Sequence, residues 1–303
     1  MEGITLAVQL KDKVRGQVYA DEPMSRHTSF RIGGPADVLV VPEDIPDLLA
    51  LIRILSDMQV PFHIIGAGTN LLVKDEGIRG VVIKIANTIS HVNRLGDGIL
   101  RCGAGALLPS VCRDAALKGL SGLEFASGIP GTVGGAVTMN AAAFGGFMAK
   151  LVDTAEVITY DGHQTRLDRE DLEPGTKTTR VLKEPLILVE VDFALKPDIP
   201  ERVQKRMQEY LQERAYRQPL NLPSAGCAFK NPTGEGAGRF IDAAGLKGVS
   251  RGGAEVSRLH ANFIVNNGGA TAEDVMSLMK HVQEVVYSKF QVILEPEVRI
   301  LGG

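Results

Sequence analysis

Apolar and polar positions along this chain change period often enough to mark its elements. A short helix is predicted at the N-terminus, and Asp37-Val38-Leu39-Val40-Val41 reads as a strand that Pro42 ends. Ile45, Leu48, Leu49, Ile52 and Leu55 then recur at helical spacing, with Pro46 harmless in the first turn, so this helix lays one face on a sheet. Phe62 to Ile65 and Gly80 to Ile85 read as buried strands around the glycine-rich turn GAGTNLLVKDEG, giving a βαβ–β order for the first quarter. A strand at Ile99 to Cys102 and a helix from about Val111 to Lys118 open a second region. Strands follow at Ala155 to Tyr160 and His163 to Leu167, joined by Asp161-Gly162 as a two-residue hairpin turn with positive φ at both central positions. In Leu186 to Leu195 the residues Val189, Val191, Phe193 and Leu195 alternate with Glu190, Asp192 and Ala194, the pattern of a half-buried strand. Lys196-Pro197-Asp198-Ile199-Pro200 reads as a stiff linker. A third region has a charged helix from Glu201 to about Arg217 and a helix from Thr271, where Thr271 and Asp274 resemble a capping box. Short strands at Val292 to Leu294 and Val298 to Leu301 are predicted at the end.

Composition removes several classes of function. At 303 residues the chain has room for about two domains, and 33 basic against 36 acidic side chains leave no basic excess for a nucleic-acid backbone. Cys102, Cys112 and Cys227 are too scattered for a disulfide framework or a four-ligand zinc site, so a reducing, cytoplasmic setting and no metal are expected. The N-terminal stretch carries charges through any apolar run and does not read as a signal or anchor. Phe125 to Ala149 lacks charge, but Pro130, six glycines and Asn140 would leave amides unpaired in lipid, so membrane insertion is not expected.

Glycine is the anomaly, 34 of 303 residues against a usual ~7 %. Gly66-Ala67-Gly68-Thr69-Asn70-Leu71 follows a strand, yet Leu71 replaces the third glycine of a dinucleotide fingerprint and no acidic residue follows for a ribose. Gly128-Ile129-Pro130-Gly131-Thr132-Val133-Gly134-Gly135-Ala136 is a second cluster, and neither is a P-loop. Each reads either as a tight structural turn or as main-chain amides converging on a phosphate; Met139-Asn140 and Phe144-Gly145-Gly146 favour the cradle. Cys227, within Ser224 to Pro232, is either inert packing or a reactive thiol among Lys230, Asn231 and glycines. Glu297 shares a face with Arg299 at period two, either as a solvated ion pair or as a functional acid.

In order along nearly the whole chain, HTSFRIGGPA (27–36), GAGTNLL (66–72), GLSGLEFASGIPGTVGGAVTMNA (119–141), SAGCAFKNP (224–232), AGLKGVSRGGAEVSRLHANFIVN (244–266) and LEPEVRILG (294–302) resemble the UDP-N-acetylenolpyruvoylglucosamine reductase family. The resemblance implies an α+β fold: a two-subdomain FAD-binding domain of the vanillyl-alcohol-oxidase type at 1–198 (about 1–90 and 91–198), then an α+β substrate-binding domain at 199–303, the shorter form of the family. It implies non-covalent FAD held by Arg31, Gly33, Gly66, Gly68, Thr69, Asn70, Leu71, Gly128, Gly131, Thr132, Gly134, Gly135 and Asn140. It also implies an NADPH-dependent reductase, expected as a monomer, that delivers hydride to the vinyl carbon of a nucleotide-sugar enolpyruvyl ether and forms UDP-N-acetylmuramate for peptidoglycan.

Residue by residue, Glu297 matches the family glutamate that stabilises the enol intermediate. Cys227 stands where most members carry the proton-donating serine; a thiol, with an unperturbed pKa near ~8.5, gives up a proton more readily than an alcohol. Lys177 occupies the place of the family arginine in Thr176 to Arg180, keeping the charge and losing the bidentate fork, with Arg180 close enough in sequence to compensate. Arg180, Arg214, Arg217, Lys230 and Asn231 are candidates for the substrate's diphosphate, although Arg214 and Arg217 also suit a solvated helix face. Phe144 and Ala142 replace a family tyrosine and glycine. The departures leave two alternatives, an FAD-dependent oxidase of another alcohol and a catalytically impaired binding paralogue.

Overall fold

In a computed structural model of the chain, residues 2–96, 98–232 and 235–303 are described. Helix α1 (Glu2–Lys11) leads to strands β1 (Gln17–Pro23) and β2 (Pro35–Val41). Helix α2 (Ile45–Asp57) starts after Asp44, whose carboxylate accepts from Asp47 N at 2.8 Å and so satisfies one of the unpaired amides of the first turn. Then come β3 (Phe62–Ile65), β4 (Leu71–Val73), β5 (Ile78–Lys84), β6 (Val92–Arg94) and β7 (Ile99–Gly103). Helix α3 (Leu108–Leu117), β8 (Leu120–Ser121), α4 (Val133–Thr138) and the short pair β9 (Ala142–Ala143) and β10 (Gly146–Phe147) span the uncharged stretch. They precede β11 (Val152–Thr159), β12 (Gln164–Asp168), α5 (Arg180–Lys183), β13 (Leu186–Ala194), β14 (Lys196–Pro197) and α6 (Pro200–Arg217). The last elements are α7 (Ala237–Ala243), β15 (Ser250–Arg251), β16 (Ala254–Val256), β17 (Ile264–Asn266), α8 (Ala272–Phe290) and β18 (Arg299–Leu301).

The chain divides into two compact units. One takes residues up to Ala20, Val38–Ala67 and Gly80–Arg214; the other takes Asp21–Asp37, Gly68–Arg79 and Ala215–Gly303. The first contains a sheet ordered β1-β2-β5-β3, with β3 and β5 parallel, and an antiparallel sheet ordered β12-β11-β13-β7-β6. Leu48, Leu51, Ile52 and Leu55 of α2 are fully buried in its core, as their helical spacing requires. The second unit packs Val275, Leu278, Met279 and Val282 of α8 into a separate apolar core, and α8 opens with the capping box of Thr271 and Asp274.

Five expectations are corrected. The Asp161-Gly162 turn is longer: Gly162 N donates to Thr159 O and Thr159 N to His163 O, both at 2.9 Å, and only Gly162 has positive φ (+85°). Tyr160 and Asp161 turn the chain and Gly162 supplies the left-handed residue that restores register. Strand β13 is not half-buried, because Asp192 is only 5 % exposed: Arg101 donates to both its carboxylate oxygens, Nε at 2.7 Å and Nη2 at 2.8 Å, and so neutralises it under cover. The linker is tied down, with Lys196-Pro197 paired to Leu120-Ser121 and Asp198 N donating to Gly119 O at 2.8 Å. Residues 292–294 form no strand; Gln291 (φ +57°) ends α8 and Leu294 turns inward, its carbonyl accepting from Gln283 Nε2 at 2.7 Å. Helix α6, placed by sequence at the head of the third region, belongs through Arg214 to the first unit, where Arg206 pairs with Glu124 at 2.8 Å and Asp198 at 2.6 Å.

Candidate active site

In the first unit the glycine segment wraps the start of α4. Thr132 caps that helix, its hydroxyl accepting from Gly135 N at 3.3 Å. A side chain on Gly66 would strike Thr132 Oγ1, so the first residue of the turn after β3 lies against the 128–135 cluster. A Cβ on Gly134 would sit 2.9 Å from Ala104 Cβ, and one on Gly128 would sit 2.6 Å from Cδ of Arg214, which brings that candidate cation to the cluster. Gly131 has φ +126°. Ser127, 5 % exposed, has a hydroxyl with no hydrogen-bond partner among the described residues, an expensive state unless a ligand satisfies it. Closely approached bare backbone and a buried orphan hydroxyl fit the oxygen-rich diphosphate of FAD.

Lys177 sits on a tight hairpin of the same unit. Gly175 N donates to Thr178 O at 2.9 Å, and Lys177 itself has φ +57°, unusual for a residue with a side chain. The C-terminal end of α4 holds this hairpin. Asn140 Nδ2 donates to Gly175 O at 2.9 Å while its Oδ1 accepts from Ala149 N at 3.1 Å, and the buried Thr179 donates from Oγ1 to Thr138 O at 2.9 Å. The segment expected to cradle the cofactor thus also positions Lys177. Arg180 is engaged by Glu184 at 2.8 Å, a hydrogen bond that raises its pKa. Phe144, in the tyrosine's place, stacks on Tyr210 with ring centroids 4.5 Å apart.

The second unit brings Cys227 and Glu297 onto neighbouring segments. Glu297 N donates to Ala228 O at 2.9 Å, Lys230 N to Glu295 O at 2.8 Å, and Phe229 bridges Pro296. The carbonyl of Glu297 accepts from Asn70 Nδ2 at 3.1 Å, and Arg299 N donates to Asn70 O at 3.0 Å just before β18 pairs in parallel with β4. Asn70, a cofactor candidate by sequence, therefore anchors the glutamate segment, with Thr69 and Leu71 beside it in the chain. Arg31 lies on the adjoining loop at φ +56°, where its N–H donates to Thr28 O at 3.1 Å; Gly33 (φ +138°) packs on Val73, 2.8 Å from Val73 Cβ were it to carry a Cβ. Lys230 pairs with Glu295 at 3.2 Å, Asn231 Oδ1 accepts from Ala237 N at 3.0 Å at the start of α7, and Arg217 is exposed. Burial raises the thiol of Cys112 to about 12 and that of Cys102 beyond the accessible range, so both are inert; Cys227 is the half-exposed one. Among the described residues no group of His, Cys, Asp or Glu side chains is arranged to hold a metal ion, and no helix is long and apolar enough to cross a membrane.

Gly68 carries a test of this frame. It has φ +67°, Ser29 N donates to its carbonyl at 3.1 Å, and a Cβ would collide with the carbonyl of His27. Gly68→Ala is expected to cost about 2 kcal/mol or more of stability and to weaken retention of FAD, checked by urea melts and by flavin recovered on gel filtration.

The chain matches the family model described as FAD binding domain over residues 36–168, and that of the C-terminal domain of UDP-N-acetylenolpyruvoylglucosamine reductase over 218–301. It is 45 % identical over 285 residues to the UDP-N-acetylenolpyruvoylglucosamine reductase of Alkaliphilus oremlandii, covering 94 % of this chain and 93 % of the relative. The chain belongs to the UDP-N-acetylenolpyruvoylglucosamine reductase family. The enzyme of that name from Clostridium botulinum (strain Langeland) is 44 % identical over 296 residues, 97 % of this chain and 96 % of its own. The crystal structure of the reductase from Thermus caldophilus superposes with a TM-score of 0.82 at 37 % identity, covering 95 % of this chain and 99 % of that one. This reductase is accordingly an FAD-containing, NADPH-dependent oxidoreductase of peptidoglycan precursor synthesis, with a mixed α and β fold made of an FAD-binding domain and the family's C-terminal domain. Ser127, Thr179 and Asn262 carry no role in the sequence reading; Ser127 and Asn262 stand as polar residues beside apolar or glycine runs, whereas Thr179, in the polar run Thr176 to Arg180, has no such signal.

Proposed function

We propose that this reductase converts UDP-N-acetylglucosamine enolpyruvate to UDP-N-acetylmuramate with Cys227 as proton donor and with Glu297 and Lys177 stabilising the enol intermediate of the substrate. FAD, when bound, supplies the relay of hydride from NADPH to the vinyl carbon. In the first unit the hydroxyls of Ser127 and Thr132 and the bare backbone of Gly66 would hold its diphosphate, with Gly128, Gly131, Gly134, Gly135 and Asn140 shaping the loops; in the second unit Arg31, Gly33, Gly68, Thr69, Asn70 and Leu71 are the candidates that the family motifs supply. As hydride arrives, negative charge spreads to the substrate carboxylate. Lys177 meets it as a point charge at a fixed hairpin apex, and preorganised charge of this kind is the usual large contribution to such catalysis. Cys227 holds a proton at Sγ for the carbon next to the one that accepts hydride. Arg214, beside the glycine cluster, is the leading candidate for the substrate diphosphate, with Arg180, Arg217, Lys230 and Asn231 as further ones.

The observation that carries the reading is the hydrogen bond from Glu297 N to Ala228 O at 2.9 Å, which pairs the main chain of the acid with the residue next to Cys227. The pure protein should be yellow, bleach anaerobically with NADPH, and regain its colour on addition of UDP-N-acetylglucosamine enolpyruvate. Colour that returns only with oxygen, together with bleaching by simple alcohols, would instead establish the oxidase; binding of the nucleotide sugar with no reoxidation would establish the impaired paralogue.

A further inference from the structure

No regular strand passes through residues 226–230, the segment that carries Cys227. What replaces a strand partner is one side chain. Phe229 is 1 % exposed, so both its N–H and its C=O must be satisfied inside the protein. Asn262, 2 % exposed, satisfies both: its Oδ1 accepts from Phe229 N at 3.0 Å and its Nδ2 donates to Phe229 O at 2.8 Å. Its own carbonyl accepts from Ala228 N at 2.7 Å, and Cys227 bridges Phe263, the next residue. Asn262 in turn is fixed from behind, its N–H donating to His260 Nδ1 at 3.3 Å.

An amide is the side-chain group that copies a peptide unit, presenting one donor and one acceptor in a plane. Here it pairs with a main-chain residue as a neighbouring strand would, and the opposite edge of that residue pair is the Glu297 segment through Ala228 O and Lys230 N. The stack therefore runs from Asn262 through 228–229 to 295–297 in the second unit, with the thiol one residue to one side and the carboxylate on the far layer.

We infer that Asn262 is the positioning residue that sets Cys227 in register with Glu297, an inference that rests on the roles assigned to those two residues above. It touches neither substrate nor cofactor; it acts through main chain alone. Its loss shifts the proton donor relative to the acid and leaves the reduction by NADPH alone, because that half of the reaction uses neither side chain.

Anaerobic stopped-flow on Asn262→Ala, Asn262→Asp and Cys227→Ala separates the possibilities. The aspartate variant keeps size and the acceptor for Phe229 N but sets a carboxylate oxygen against Phe229 O in place of the donor, so thermal melts and flavin content identify which variants are folded, and the half-reaction rates are read from those. Expected is bleaching by NADPH within about twofold of the parent, and reoxidation by UDP-N-acetylglucosamine enolpyruvate slowed by about 10- to 100-fold, as misplacement by an ångström can do. The loss should fall on kcat with KM little moved, and the solvent deuterium isotope effect on reoxidation should rise as proton delivery becomes limiting. Reoxidation at the parent's rate in both Asn262 variants, with Cys227→Ala slowed, overturns the positioning role alone. Equal slowing of both half-reactions also overturns it, as a general loss of structure. Normal reoxidation in Cys227→Ala overturns the proton-donor assignment instead.

Discussion

Turnover of the Cys227→Ala variant is expected to fall by about 10²- to 10⁴-fold, the range that a positioned proton donor contributes. NADPH should still bleach its flavin at the parent's rate, because a hydride transfer into the cofactor needs no proton at the substrate carbon. Cys227→Ser should keep turnover within about tenfold, since a hydroxyl is slightly smaller than the thiol and is the proton donor that the family resemblance implies at this position. Structure as well as chemistry singles out this thiol. Of the three cysteines, two are sealed in the core with their thiols held protonated by burial, and only Cys227 is half exposed. Its segment is fixed on both edges, by Asn262 on one and by the Glu297 segment on the other. Steady-state rates with UDP-N-acetylglucosamine enolpyruvate decide the matter, and equal rates for the alanine and serine variants would remove Cys227 from the chemistry.

The helices were legible because their signals are local. Asp44, Pro46 and the apolar row of α2 specify its start and its buried face without reference to anything distant, and the capping box of α8 does the same. Strand pairing was legible only as far as periodicity goes. Nothing within Leu186 to Leu195 reveals that Arg101, 91 residues from Asp192, will cover the polar face of β13, so alternation suggested water where there is an ion pair. The linker failed for a related reason, since Pro-rich sequence describes stiffness and says nothing about Leu120-Ser121 waiting to pair. At the site, residue identities were readable from the ordered motifs, whereas the devices that hold them were not. Asn140 grips the Lys177 hairpin across 35 residues, Asn70 grips Glu297 across 227, and Asn262 grips Phe229 across 33. A side-chain amide carries no periodic signature, so its partner is invisible until the chain has folded.

The largest effect on stability is expected at Arg101, where replacement by alanine should cost about 3 to 5 kcal/mol, the usual penalty for leaving a buried charge without its partner. Arg101 lies against both Asp192 at 2.7 Å and Glu190 at 3.1 Å, with side chains only 6 % and 16 % exposed. Removing it leaves Asp192 with Arg166 at 3.5 Å and Thr154 Oγ1 at 3.4 Å, both too long to replace a two-pronged guanidinium. Asp192→Ala should cost less, because the Arg101 that remains is 30 % exposed and keeps Glu190. Acid separates the two contributions. The hydrogen bonds from Arg101 hold Asp192 below the usual carboxylate range, so the pair's stabilisation is complete above the unfolded value near ~4 and is lost as pH falls through the lower folded value. Urea midpoints measured at pH 7 and near pH 3 should therefore show the gap between parent and Asp192→Ala narrowing toward acid. A gap that stays constant would mean that the aspartate stabilises β13 by packing and not by charge.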